Sequence, residues 1–167
     1  MDLALLLHRS RRSAFHRWLL NIAISWAIPF NRRRGLRVEP LPQGGFRVLV
    51  PYRRLNMNHI RGIHACCLAT AAEMCSGLAL MELLDAGRFR IIMKSLTMEY
   101  RFQAKADAHA EFSPSRQEVE SGLLRPLETG GPVLYTAVVP LHDVLGNHLA
   151  TGHITWQLKP WDKVRTR

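Results

Sequence analysis

Cysteine is scarce in this 167-residue chain: only Cys66, Cys67 and Cys75, an odd set on one short segment. That excludes a secreted disulfide scaffold and points to a reducing compartment. No second set of Cys or His at tetrahedral spacing follows, so no metal site is expected. Lysine is scarcer than arginine, with 4 Lys within the 23 basic residues. The apolar stretch Trp18 to Phe30, interrupted by Asn21 and Ser25 and broken at Pro29, falls short of the roughly 20 residues that span a bilayer. A secretory signal does not fit, because the run Leu3 to Leu7 precedes the arginine cluster and no small-residue cleavage site follows. An organelle transit peptide ranks lower still.

A 47% hydrophobic content over this length suits one globular domain and excludes a disordered tail or a collagen-like rod. Thirteen acids against 23 bases leave a net charge of +10. Nucleic acid, an anionic membrane surface and a phosphorylated carrier such as coenzyme A all fit that balance, and so does GC-rich codon usage. The excess is concentrated at the front. Residues 1–34 hold Arg9, Arg11, Arg12, Arg17, Arg32, Arg33 and Arg34 against Asp2 alone, a net of +6, whereas residues 35–167 carry 16 bases and 12 acids, or +4. We therefore divide the chain into a basic N-terminal segment, 1–34, whose Trp18–Phe30 helix docks on a domain formed by 35–167. A basic amphipathic helix on an anionic membrane, anchored by Trp18, Trp26 and Phe30, is the rival reading of that segment.

From Gly35 the pattern changes to strands. Leu36, Val38 and Leu41 precede a Gln43-Gly44-Gly45 turn, and Phe46, Val48 and Val50 resume the alternation up to Pro51, which predicts a hairpin. His64 to Leu84 runs without a breaker and suits a helix stopped by Asp85-Ala86-Gly87. Strands are expected over Ile91–Phe102 and Ala106–Phe112, then a short helix within Pro114–Thr129 ended by Gly130-Gly131. Val133–Val139 and Leu149–Leu158 close the chain as a long hairpin around Asp143 and Gly146-Asn147. The sum is an α+β fold, one long central helix wrapped by a curved antiparallel sheet of five or six strands.

Glu73 is the only charged residue between Ala65 and Met81. A helix apolar on nearly every side is buried, and its many small residues let strands approach its backbone. Glu73 then sits where charge is costly, with Ala69, Thr70, Ser76 and Gly77 as its helical neighbours and no cation among them. Buried acids of this kind are candidate general bases or nucleophiles; an acid facing solvent through a gap, or paired with a distant Arg, is the plainer alternative. Cys66 at the helix start is read as small buried packing in preference to a nucleophile, since no base accompanies it.

The run Asn58-His59-Ile60-Arg61-Gly62-Ile63-His64, with Glu73 nine residues later, resembles the signature of hotdog-fold acyl-CoA thioesterases of the phenylacetate-pathway type. Those proteins carry Asn, then Gly, then His-Gly-Gly at the start of the central helix, and an Asp or Glu about two and a half turns on. Pro29-Phe30, Gly35–Glu39 and Tyr100-Arg101-Phe102 further resemble a domain-of-unknown-function branch of that superfamily, so that the likeness spans residues 28–158. The resemblance implies that Glu73 attacks a thioester carbonyl or activates water. The backbone N–H of Ala65 or Cys66 would hold the oxyanion, with Asn58 orienting water or the acyl group and His64 as a lesser candidate. Substrate contacts would come from Arg61, Gly62, Ser76, Arg101 and Lys105, the cations meeting phosphates. The protein departs from the pattern at Arg61, where relatives have Gly, at Ala65-Cys66 in place of Gly-Gly, and at Gly77, where relatives often have a polar residue.

Two function classes follow. The first is a cytoplasmic hydrolase of acyl-CoA or acyl-carrier thioesters, a homodimer or higher homo-oligomer with coenzyme A as part of the substrate and no separate cofactor. The second is a non-catalytic module that binds the same thioesters. A peripheral membrane protein acting through residues 1–34 is a third class, and nucleic acid ranks last among the partners.

Overall fold

The computed structural model describes residues 3–84, 87–128 and 132–164. The alternation read from the sequence becomes a six-stranded antiparallel sheet. Its strands are β1 (Arg37–Pro40), β2 (Phe46–Val50), β3 (Phe89–Tyr100), β4 (Ala108–Phe112), β5 (Val133–Asp143) and β6 (His148–Pro160). Their order across the sheet is β1-β2-β4-β5-β6-β3. Phe46, Val48 and Val50 point into the core while Arg47 and Leu49 turn outward, as a period of two requires. The β1–β2 turn depends on Gly45, which has φ +70°, and a Cβ built there would lie 2.0 Å from the Phe112 carbonyl oxygen.

The long helix α4 (Ala65–Leu83) lies across the concave face and packs on β2, β3, β4, β5 and β6. It has no polar stripe, and Leu68, Ala71, Ala72, Cys75, Leu78 and Leu80 are all buried. Small side chains permit this enclosure. The Cys75 thiol donates to the Phe46 carbonyl at 3.0 Å, and the indole of Trp156 occupies the space a Cβ on Gly77 would need. This is the hotdog arrangement, with six strands, the upper of the two numbers expected. The segment Arg116–Glu128 is helical but not one regular helix, since a five-residue π turn, Glu120–Leu124, separates α5 (Arg116–Val119) from α6 (Arg125–Glu128). The stops expected at Asp85-Ala86 and Gly130-Gly131 lie outside the described residues.

Residues 3–32 form α1 (Leu3–Ser10), α2 (Ala14–Ala27) and α3 (Pro29–Arg32). The helix expected from Trp18 starts earlier, capped by Ser13, and Pro29 opens α3 as its first residue besides ending α2. Leu3 to Leu7 is helical as well, and Leu6, Leu7, Leu20 and Ile24 enter the common core. Asn21 fixes α2 to the sheet: its Nδ2 donates to the Val38 carbonyl at 3.0 Å and its Oδ1 accepts from the Val38 N–H at 2.7 Å. One sheet edge, β1, is thereby covered. Arg11 ties the α1–α2 turn to the end of α4, donating to Glu82 at 2.7 Å and to the Leu41 and Gly45 carbonyls. The opposite edge, β3, has no strand beside it among the described residues and runs for twelve residues.

Candidate active site

Glu73 faces a cavity of about 960 Å³. The walls are Met74, Gly77, Leu78 and Met81 of α4, Ile91–Met93 of β3, Trp156 of β6 and, from the N-terminal segment, Leu3, Ala23, Ile24 and Trp26–Ile28. Apart from Glu73 no charged residue among the described ones lines it. The carboxyl is half-buried and makes no salt bridge among the described residues. Burial alone pushes its pKa above the ordinary value, because desolvation penalises the carboxylate and no nearby cation offsets it. The pairing with a distant Arg is not found among the described residues.

Ser76 and Gly77, one turn beyond Glu73, serve Trp156. The indole N–H donates to the Ser76 hydroxyl at 3.0 Å, and that hydroxyl reaches the Ala72 and Glu73 carbonyls at 3.2 and 3.1 Å. Ser76 is fully buried and does not line the cavity, so it positions the ring that forms the cavity wall. Nothing in the sequence singled out Trp156. The signal was a glycine on a helix face, whose absent Cβ leaves room for a large ring 3.0 Å away.

The other candidate residues gather at the N-terminal end of α4. Asn58, Ala65, Tyr100 and Arg101 line a separate cleft of about 330 Å³. The Asn58 side-chain oxygen accepts from the N–H groups of Ile60 and Gly62 at 3.1 and 3.0 Å, so it builds the loop before the helix. His64 is the N-cap, and its Nδ1 accepts from the Cys66 N–H at 3.1 Å. This leaves Ala65 as the candidate whose N–H has no acceptor among the described residues. Cys66 is exposed, contrary to the packing role expected of it, because it lies with Ala65 on the outward side of the first helical turn, whose other side buries Cys67 and Leu68. Cys67 and Cys75 are buried, and burial raises both thiols.

Arg61 stands where relatives have glycine, and its φ of +58° shows why glycine suits the position. The Tyr52 hydroxyl donates to its carbonyl at 2.7 Å, holding the left-handed turn, and the guanidinium side is exposed. Gly62 is buried against Gln103, whose side chain lies 3.0 Å from a Cβ built there. Arg101 is exposed and pairs with Glu99 at 3.5 Å, and Lys105 is exposed as well. Ala65 and Glu73 are separated by eight residues of helix, about 12 Å along the axis. A single carbonyl contacts its catalytic groups at about 3 Å, so within one chain these two do not meet on one substrate atom.

A family model described as a domain of unknown function (DUF4442) matches residues 16–158, from within α2 to the end of the sheet. No curated protein matches the chain. Among solved structures, it is similar to a protein of unknown function and probable thioesterase from Pseudomonas aeruginosa. The identity is 29%, covering 86% of this chain and 95% of that one, with a TM-score of 0.75. A thioesterase from the same organism, solved as a mutant, shares 12% identity over 89% of this chain and 97% of that one, at a TM-score of 0.66. A protein of unknown function from Chlorobaculum tepidum shares 14% identity over 86% and 93%, at a TM-score of 0.70. These last two likenesses show the fold.

Substitutions at two positions test the geometry. At Arg61, glycine is expected to leave the urea unfolding free energy within about 0.5 kcal/mol of wild type. Valine, β-branched and strained at positive φ, is expected to lower it by about 1–2 kcal/mol. Equal effects of the two would contradict a left-handed turn. For Glu73, the folded carboxyl titrates above its unfolded value of about 4.5, so its protonated form contributes stability that is lost as pH rises through the folded value. Glu73→Gln keeps that contribution at every pH. Thermal melts should therefore show the variant above wild type at neutral pH, with the gap closing at acid pH; a variant that melts lower at neutral pH speaks against an unpaired carboxylate.

Proposed function

The chain belongs to the DUF4442 family, a domain of unknown function, and on that premise we propose that it hydrolyses acyl thioesters with Glu73 as the reacting carboxylate. The observation that carries this reading is a lone acid, unpaired and with a raised pKa, in the wall of a large apolar cavity. Apolar walls accept an acyl chain, and a carboxyl titrating closer to neutral is a better proton acceptor for water than an ordinary glutamate. The likeness to a probable thioesterase at 29% identity agrees with this substrate class.

The ionised Glu73 takes a proton from water as the oxygen bonds to the carbonyl carbon, or attacks that carbon itself. The resulting oxyanion is held by the Ala65 N–H, with the positive end of α4 behind it. Collapse breaks the C–S bond and the thiolate leaves, taking up the proton that Glu73 drew from water; when Glu73 itself attacks, collapse leaves an acyl–Glu73 anhydride, and the water that hydrolyses it to the free acid and Glu73 supplies the thiolate's proton. Because the two groups lie about 12 Å apart on one helix, the site pairs Ala65 of one protomer with Glu73 of a partner. The uncovered twelve-residue edge of β3 is a surface on which such a homodimer can form by strand pairing. Arg61, Arg101 and Lys105 stand on the side where the phosphates of coenzyme A, or of a carrier's prosthetic arm, would emerge; coenzyme A is then part of the substrate, and no separate cofactor takes part. His64 serves as the cap and Asn58 as the loop brace. The three free thiols suit a cytoplasmic setting.

Occupation of the Cys66 N–H by His64 favours a second reading, a module that binds thioesters without cleaving them. Thiol release from acyl-CoA of graded chain length separates the two. Wild type is expected to turn over, and Glu73→Gln to lose about 100-fold or more in kcat with KM little changed. The acid limb of the pH–rate profile should lie above the ordinary glutamate range, since activity needs the ionised form of a carboxyl whose pKa is raised. Equal turnover by both proteins removes Glu73 from the chemistry; saturable binding with no thiol release by either establishes the second reading.

A further inference from the structure

Helix α2 has two apolar faces. Leu20 and Ile24 enter the core, whereas Phe15, Trp18 and Trp26 are 63%, 59% and 66% exposed on the outer side. With the half-buried Ile22 between them, their spacings of three, four and four residues place all four on a single stripe about 16 Å long. Phe30, 65% exposed on α3, lines the cleft at the start of α4 with His64 and Cys66. Phe15 and Trp18 stack with ring centroids 5.8 Å apart, and His16 meets the Phe15 ring edge-on. A contiguous exposed row of large aromatics marks a contact surface.

The exposed charges at both ends of this row, among the described residues, are basic. Arg9 and Arg12 are exposed at its start, and Arg32 and Arg33 at its end. The Arg32 guanidinium lies 4.1 Å over the Trp26 ring. Residues 3–38 contain no Asp or Glu, and Glu82, the acid that reaches this region, is taken by Arg11. We propose that this face docks on an anionic phospholipid bilayer surface, the rings entering the headgroup boundary and the flanking arginines meeting lipid phosphates. At fourteen residues, about 21 Å, with its opposite side in the protein core, α2 lies in the membrane plane and does not span it.

Other occupants fit less well. A second copy docked through this face would set identical arginine rims against each other. Single-stranded nucleic acid is held by aromatics in a basic groove that tracks its backbone, whereas here the rings stand on the outer side of a helix, and its exposed arginines lie beyond the helix ends. Trp26 belongs to both the docking face and the wall of the Glu73 cavity. Docking therefore sets that cavity against the leaflet, which makes membrane-partitioned, long-chain acyl thioesters the substrate class. That last step rests on the function proposed above; the docking itself does not.

The test uses the full chain and sucrose-loaded vesicles, either pure phosphatidylcholine or one-third phosphatidylglycerol. Sedimentation is expected to bring the protein down with the anionic vesicles, with a partition coefficient at least about tenfold lower on neutral ones and falling as salt is raised. The double variants Phe15→Ser/Trp18→Ser and Arg9→Gln/Arg12→Gln touch neither the cavity nor the core. Each should lose about tenfold in partitioning while keeping the wild-type circular dichroism and thermal midpoint. Equal binding to both vesicles, unchanged binding by the folded variants, or retention on DNA without binding to vesicles overturns the proposal. Vesicle binding by a protein that releases no thiol refutes the hydrolase reading alone, and thiol release without vesicle binding refutes the docking alone.

Discussion

Everything in this protein follows from enclosing a helix that has no polar side. The residues of α4 are small or aliphatic all round, so a sheet must curve about it and at least one further layer must close what the sheet leaves open. The sheet supplies β2 to β6, and the N-terminal helices supply Leu6, Leu7, Leu20 and Ile24. Each fully buried Leu contributes about 1.5–3 kcal/mol relative to exposure, which compensates for the ordering of an otherwise independent, arginine-rich segment. Within this enclosure one side chain is at odds with its surroundings. Glu73 is held half-buried with no counter-charge among the described residues, and burial raises its pKa.

The two ends of α4 have different chemistry because of how they are closed. At its start the helix leaves the sheet, and a loop braced by Asn58, a left-handed Arg61 and the cap His64 presents backbone donors to solvent. Two turns further on, the same helix is walled by Trp156, β3 and α2, and the cavity there is apolar. A donor site and an acid site are thus built on one rod but kept apart along it. Asn21 and α2 cover the β1 edge, whereas β3 leaves the other edge of the sheet open among the described residues, and the proposed pairing of two protomers draws on that edge.

Much of this was legible in the residues. The β1–β2 hairpin, the span of α4 and the final hairpin follow from period-two and breaker patterns, and the isolation of Glu73 from the lack of a cation within a helical turn. The resemblance carried by Pro29-Phe30, Gly35–Glu39 and Tyr100-Arg101-Phe102, beside that of Asn58, His64 and Glu73, anticipated the family. Other features depend on tertiary contact. A glycine at 77 does not say that an indole will lie beside it, and Ser76 next to an acid reads as a substrate contact until Trp156 claims its hydroxyl. The run Leu3–Leu7 is too short to declare itself a core helix. Pro29 reads as a break, although its fixed φ also starts α3.

The central claim is that Glu73 carries its proton to a higher pH than an ordinary glutamate because an apolar cavity surrounds it. Carboxyl-carbon NMR of protein labelled at glutamate, with Glu73 assigned from the spectrum that Glu73→Gln simplifies, measures this directly. The account predicts one glutamate resonance titrating distinctly above the others and missing in the variant. A Glu73 midpoint within or below the range of the surface glutamates contradicts it.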